Sequence, residues 1–179
     1  MESLEEIKIQ PTYIVGDFDS VDNNFLKQYA NSNVKIKRLI PEKDFTDTES
    51  ALELAISLNV NSITIIGGIG TRIDHTIANI HILKLALDKN IDVKIVDENN
   101  EIRLVNENMQ IVKDNNYKYI SFIPLTTEVT GITLKGFKYN LDNYTLKIGT
   151  SLGISNEQVE NIATVNLEKG ILIMIKSKD

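Results

Sequence analysis

A change of rhythm near residue 100 constrains the fold more than any other feature of this sequence. Before that point, two kinds of apolar stretch alternate. TYIV (12–15) is a short apolar run, VKIKRLI (34–40) alternates apolar and polar residues up to Pro41, SITIIGG (62–68) is β-branched and ends in glycines, and IDVKIVD (91–97) alternates again. Between them, residues 23–31, 46–58 and 73–89 space their apolar side chains at three and four, as with Leu52, Ala55 and Leu58 or Ile77, Ile80 and Leu83. A period of two marks a strand and a period near 3.6 marks a helix. Strands alternating with helices predict βα units on a mainly parallel sheet, with 62–68 as a buried strand entering a turn.

After residue 100 the helical period disappears. EIRLV, QIV, YISFIP, EVTGITL, YTLKI, ATVNL and GILIMI are short and alternating, and they are separated by polar turns such as ENN, KDNN, NLDN and EKG. That pattern predicts an antiparallel β-sandwich or barrel-like domain. The boundary is placed in DENNE (97–101), which gives an α/β domain over 1–100 and an all-β domain over 101–179. A chain of 179 residues has room for both cores.

Charge and composition exclude several classes of function. The formal net charge is −6, which argues against a nucleic-acid backbone as the main partner, because that binding relies on Lys and Arg neutralising phosphates. There is no cysteine, so disulfides and thiolate metal sites are excluded and a cytoplasmic location is the default expectation. The opening MESLEEIKIQ has no apolar signal core, and no apolar run approaches the roughly 20 residues of a membrane-spanning helix. Only two His residues occur, so a metal must rest on oxygen ligands, which points to Mg²⁺ or a similar hard ion.

In open α/β sheets ligands gather at the carboxyl ends of strands, and polar clusters fall at such ends here. The first is GDFDS (16–20), where Asp17 and Asp19 flank Phe18. Like charges that close are unfavourable unless a cation sits between them, so the pair suits a metal; the alternative is that Asp19 or Ser20 caps the next helix. The second is KDFTDTES (43–50), in which Thr46 and Glu49 form a capping box and Asp47 falls in the first helical turn; on the residues alone the capping role prevails. The third, GGIGTRIDHTIAN (67–79), offers Gly67, Gly68 and Gly70 for close approach of backbone N–H groups to a phosphate, with Arg72 to fork onto its oxygens and Asp74 to hold a metal or a hydroxyl. Its spacing matches neither G-x-G-x-x-G nor the P-loop. The fourth, GISNE (153–157), reads by itself as a turn.

In their order, GDFDS, KDFTDTESAL, GGIGTRIDHTIANIHIL, YISFIPL, TLKGFKYNL and GISNE resemble the thiamine pyrophosphokinase (thiamin diphosphokinase) family, over nearly the whole chain from Tyr13 onward. The resemblance implies a Rossmann-like α/β domain that binds ATP, a β-sandwich domain that binds thiamine, and a homodimer with active sites at the interface. It implies Mg²⁺-dependent transfer of the pyrophosphoryl group of ATP to thiamine, giving thiamine diphosphate and AMP. By motif position it implies Asp17, Asp19 and Asp47 as the metal and catalytic centre and Asp74 as a further catalytic acid. It implies Lys43, Thr46, Gly68 and Arg72 as ATP and phosphate contacts, and Tyr139, Ser155 and Asn156 as thiamine contacts. Members of the family also carry a longer leading segment with a first strand, where this sequence has MESLEEIKIQ, so the first domain is expected to be shortened.

Two other functions fit parts of the pattern. A strand followed by D-x-D is also the nucleophile motif of haloacid-dehalogenase-like phosphatases, although the β-rich second half and the R-x-D-H turn disfavour that class. A degenerate, non-catalytic module that binds thiamine or nucleotide is the other alternative.

Overall fold

The structure is a computed structural model that describes residues 10–18, 29, 33–40 and 44–179; Asp19, Ser20 and Lys43, and nearly all of the helix expected at 23–31, lie outside them. Two compact units are present, Met1–Leu58 and Asn59–Asp179. Among the described residues the fold is mostly β, with two helices and three sheets.

The first unit contains β1 (Tyr13–Gly16), β2 (Lys35–Arg38) and α1 (Asp47–Ser57). β1 and β2 pair in parallel, from Tyr13 opposite Lys35 to Gly16 opposite Arg38. Ile14, Phe18 and Val34 form a small buried cluster against which Tyr29 packs. α1 starts where it does because Thr46, in an extended conformation, accepts the N–H of Glu49 on its side-chain oxygen at 3.2 Å. Asp47 and Glu49 then occupy the first turn, where the helix dipole favours negative charge. The capping role read from Thr46-x-x-Glu49 is thus met at Thr46. α1 lies against β1 and buries Leu52 and Ser50.

The second unit contains β3 (Ser62–Ile66), α2 (Ile73–Leu87), β4 (Asp92–Val96), β5 (Asn100–Val105), β6 (Met109–Val112), β7 (Tyr119–Pro124), β8 (Glu128–Lys135), β9 (Leu141–Lys147), β10 (Ile162–Asn166) and β11 (Leu172–Ser177). One sheet has the order β3-β4-β5-β11-β7 and the other β6-β10-β8-β9. Among the described residues, the strand pairs that lie before residue 100, β1–β2 and β3–β4, are parallel, as expected of the first part, and the pairs among strands from residue 100 onward are antiparallel, as expected of the second. The correction concerns the join: β4 pairs antiparallel with β5, so strands from both parts share one sheet. The cause is local. Asp97 Oδ1 accepts the backbone N–H groups of Asn99 at 2.9 Å and Asn100 at 2.6 Å, closing a turn too tight for a crossover. The chain therefore turns straight back from β4 into β5, and β5 spans the point where the sequence analysis divides the chain. The expectation that 62–68 is a buried strand is also corrected. β3 lies at the edge of its sheet, and Ile66 is 83 % exposed. β-branched composition signals a strand but not its rank in the sheet.

The two sheets of this unit share one core. β5, β7 and β11 contribute Val105, Phe122 and Met174, while β8, β9 and β10 contribute Ile132, Leu146 and Val165. Phe122 and Phe137 meet edge to face with ring centroids 5.6 Å apart. Each fully buried side chain of this size contributes about 1.5–3 kcal/mol relative to exposure. α2 lies against β4 and β5 and buries Leu83 and Ala86 completely. Strand alternation places Ile102 and Leu104 on the sheet face opposite Val105. Among the described residues, no helix is long and apolar enough to cross a membrane.

Candidate active site

In the first unit, the end of β1 carries the acidic cluster. Phe18 occupies the left-handed region at φ 64°, which is unfavourable for a residue with a side chain. Its ring is buried and lies 5.6 Å from the guanidinium of Arg38, so packing holds the turn. Asp17, half-buried, precedes this turn directly. Asp47 reaches the same strand end from α1. Its Oδ2 lies 3.8 Å from where a side-chain β-carbon on Gly16 would stand, an ordinary contact distance that puts the carboxylate beside the end of β1. Asp17, Thr46 and Asp47 therefore share one end of the unit, with the Thr46 hydroxyl already engaged as a helix cap.

This donor set suits a hard cation. Mg²⁺ is commonly held by one or two carboxylates together with water and substrate phosphate oxygens. Asp17 and Asp47 supply such donors, while among the described residues no group of three or more His, Cys, Asp and Glu side chains gathers around one point.

In the second unit, the turn between β3 and α2 is built more for packing than the glycine pattern implies. A β-carbon on Gly68 would stand 3.0 Å from Ile95 Cγ2 and 3.2 Å from Ile65 Cγ2, so a side chain there would press on the sheet residues by a few tenths of an ångström. The Gly68 carbonyl accepts a hydrogen bond from buried Asn79 Nδ2 at 2.8 Å. Thr76 Oγ1 accepts the Gly70 N–H at 3.3 Å. Sequence reasoning missed Asn79 and Thr76 as the residues that tie the turn to its helix. Their signal was present: two polar residues three apart, on one face of the helix. Space around Gly70 is open, so its backbone remains approachable.

Arg72 and Asp74 face each other at the start of α2. Arg72 donates from Nε to Asp74 Oδ1 at 3.3 Å and from Nη2 to Oδ2 at 2.7 Å, a two-point fork. That hydrogen bonding and the guanidinium charge hold the Asp74 carboxyl below the usual carboxylate range and raise Arg72 further. Both side chains are about two-thirds exposed, at 69 % and 65 %. The pair thus presents an oriented guanidinium to solvent.

Elsewhere in the second unit, the structure brings Tyr139 together with Ser155 and Asn156. Phe122 N–H donates to the Gly153 carbonyl at 2.8 Å, and Asn156 and Ile120 exchange both backbone hydrogen bonds at 2.8 and 3.0 Å. Residues 153–156 therefore line the edge of β7. Ser155 is exposed in the left-handed region at φ 57°, with its N–H donated to buried Ser121 Oγ at 2.9 Å. Asn156 is buried and its amide is largely committed. Oδ1 accepts from Tyr139 N–H at 3.0 Å and Glu157 N–H at 2.9 Å, and Nδ2 donates to the Tyr139 carbonyl at 2.7 Å. This fixes the backbone of Tyr139, whose side chain is 60 % exposed. Next to it, buried Gln158 donates from Nε2 to the carbonyls of Ile111 at 2.9 Å and Glu160 at 3.0 Å. Ser121 and Gln158 went unnoticed in the sequence because nothing local distinguishes them from solvated polar residues.

Comparison with known proteins gives one family for both halves. Residues 1–95 match the catalytic domain of thiamin pyrophosphokinase, and residues 107–172 match its vitamin B1 binding domain. The chain is 36 % identical over 178 residues to a thiamine pyrophosphokinase of Bacillus subtilis, covering 99 % of this chain and 83 % of the relative. It also superposes on the crystal structure of thiamine pyrophosphokinase from Bacillus subtilis with a TM-score of 0.91 at 37 % identity, covering 99 % of this chain and 83 % of that one. For thiamin pyrophosphokinase from Geobacillus thermodenitrificans the TM-score is 0.88 at 33 % identity, with 99 % and 82 % covered. Neither the phosphatase nor the non-catalytic alternative is favoured by these likenesses. With the two domains of one enzyme matched in order and a relative aligned over 99 % of this chain, the chain belongs to the thiamine pyrophosphokinase family.

Proposed function

We propose that this chain transfers the pyrophosphoryl group of ATP to the hydroxyl of thiamine, giving thiamine diphosphate and AMP. The observation that carries this reading is the 36 % identity to a thiamine pyrophosphokinase across 99 % of the chain. In the reaction, the thiamine hydroxyl oxygen forms a bond to the β-phosphorus of ATP while the bond from that phosphorus to the α,β-bridging oxygen breaks. The bridging oxygen leaves with AMP, and the hydroxyl proton passes to a base.

Such a transfer needs in-line positioning and neutralisation of charge more than covalent help from protein. In our reading Asp17, Asp19 and Asp47 hold Mg²⁺, which when bound supplies neutralising positive charge to the transferred group. Lys43, Thr46, Gly68 and Arg72 serve ATP and its phosphates. The two-point contact with Asp74 orients the Arg72 guanidinium, and a carboxylate whose pKa is lowered by that contact is a weaker base. Asp47 is the better candidate to orient or deprotonate the hydroxyl. Tyr139 and Ser155 contact thiamine, and Asn156 acts beside them.

The finer architecture belongs to the same reading: a Rossmann-like ATP-binding half over 1–100, a β-sandwich thiamine-binding half over 101–179, a homodimer, and a cytoplasmic enzyme. The core shared by the two sheets after residue 100 supports the sandwich, and the absence of cysteine supports the compartment.

The test is AMP release from ATP with thiamine and Mg²⁺. Wild type is expected to release AMP only when thiamine is present, and Asp47→Asn to reduce the rate by about 100-fold at unchanged melting temperature. Thiamine-independent AMP release, or none, overturns the proposed reaction. Equal rates in wild type and variant overturn the role of Asp47.

A further inference from the structure

We propose that Lys138 and Glu157 set the charge specificity of the surface around Tyr139: Glu157 cancels the ammonium beside that ring, so that a cationic ligand is received there. The inference rests on the reading of Tyr139 as a thiamine contact and goes beyond it to a pair of residues with no role so far.

Lys138 Nζ lies 5.6 Å from the centroid of the Tyr139 ring. The same ammonium is paired with Glu157 Oε1 at 2.7 Å. The two residues are also joined along the backbone, where Lys138 N–H donates to the Glu157 carbonyl at 2.8 Å. Asn156, one residue before Glu157, clamps the backbone of Tyr139 through both ends of its amide. The charge pair and the ring are therefore held by one built junction. A second ammonium, Lys118, lies 4.7 Å from the Tyr119 ring and also acts on the Glu157 carboxylate. Hydrogen bonding to Lys138 holds the Glu157 carboxyl below the usual range, so it stays ionised near neutral pH, and Glu157 in turn raises Lys138.

The ring face of a tyrosine is electronegative and attracts cations. Thiamine carries a permanent positive charge on its thiazolium ring. An unbalanced ammonium next to the same tyrosine competes for the ring and repels that charge. At separations within about one Debye length, roughly 8–10 Å, the repulsion is only partly screened. One uncompensated charge at that distance near a protein surface changes affinity on the order of threefold.

The signs separate this from a structural role. Glu157→Gln leaves Lys138 uncompensated and is expected to weaken thiamine binding about threefold. Lys138→Gln leaves Glu157 without its ion-pair partner, offset only by the charge of Lys118, and is expected to tighten it, and the double variant is expected to return near wild type. Both single effects should shrink in high salt. A neutral thiamine analogue, with carbon in place of the charged thiazolium nitrogen, should bind all four proteins alike.

The experiment is calorimetric titration of the full chain and these variants with thiamine and with the neutral analogue, at low and high salt, with Tyr139→Ala as a control. Single variants that shift thiamine affinity in the same direction, or shift the neutral analogue equally, overturn the inference, because both are marks of structural damage. If Tyr139→Ala weakens thiamine while the charge variants do nothing, the inference alone fails. If Tyr139→Ala leaves thiamine affinity unchanged, the reading of Tyr139 fails and takes the inference with it.

Discussion

Gly153 shows how much a single position constrains the thiamine-side edge. A β-carbon there would stand 2.2 Å from the carbonyl oxygen of Phe122, the residue whose N–H Gly153 accepts at 2.8 Å. No rotamer change relieves a clash with backbone, so the segment would have to leave the edge of β7. Gly153→Ala is expected to destabilise the protein by about 3 kcal/mol, read as a lower urea midpoint. An unchanged midpoint would show that the edge tolerates displacement. Asn156 illustrates the other residue-scale lesson. GISNE reads as a turn, yet its asparagine bonds the backbone of a residue 17 positions earlier. A buried amide used as a backbone partner leaves no periodic trace, whereas Thr46 as a helix cap was legible because its partner is only three residues away.

Among the elements of the described residues, the junction of β4, β5 and β11 carries the most buried charge. Glu101, on β5, is 7 % exposed and receives Lys94 from β4 at 2.9 Å, Lys176 from β11 at 3.1 Å and Arg103 from its own strand at 3.3 Å. Burial pushes its carboxyl up, but the hydrogen bonds and charges of Lys94, Lys176 and Arg103 more than offset this, and the net displacement is downward. A carboxyl lowered by folding stabilises the fold fully above its ordinary value, near 4.3, and loses that contribution as pH falls through the lowered folded value. Glu101→Gln is therefore expected to cost about 2 kcal/mol at pH 7 and to flatten the loss of stability below about pH 4.5. Denaturant titrations from pH 7 to pH 3 check this, and parallel curves for variant and wild type would contradict it. The strands of this junction were legible from their alternation. Antiparallel pairing of β5 with β11 was expected too, but the antiparallel join of β4 to β5 was not, since helix–strand alternation up to residue 97 gave no warning that the Asp97 turn feeds β5 directly back beside β4.

For the whole molecule, the most consequential strand is the last one. β11 lies between β5 and β7, pairing Leu172 with both Val105 and Pro124, and it places Leu172 and Met174 in the core shared by both sheets. A chain ending at Gly170 would strip β7 of its neighbour in the sheet and β5 of one of its two, and would open the core. It is expected to lose the cooperative thermal transition of the second unit, seen by near-ultraviolet circular dichroism, and a retained transition would refute the importance of β11. GILIMI is unmistakable as a strand in the sequence, but nothing in it states which strands it joins. By itself, the sequence determined the kinds of element, the cap of α1, the polar clusters and their order along the chain, because periodicity, capping and turn chemistry act over a few residues. Only the tertiary structure decided that β3 is an edge, that β10 enters between β6 and β8, that Gly68 lies close against the sheet, and that Asn156 is committed to Tyr139. Those outcomes depend on register and contact between distant segments, which local patterns do not encode.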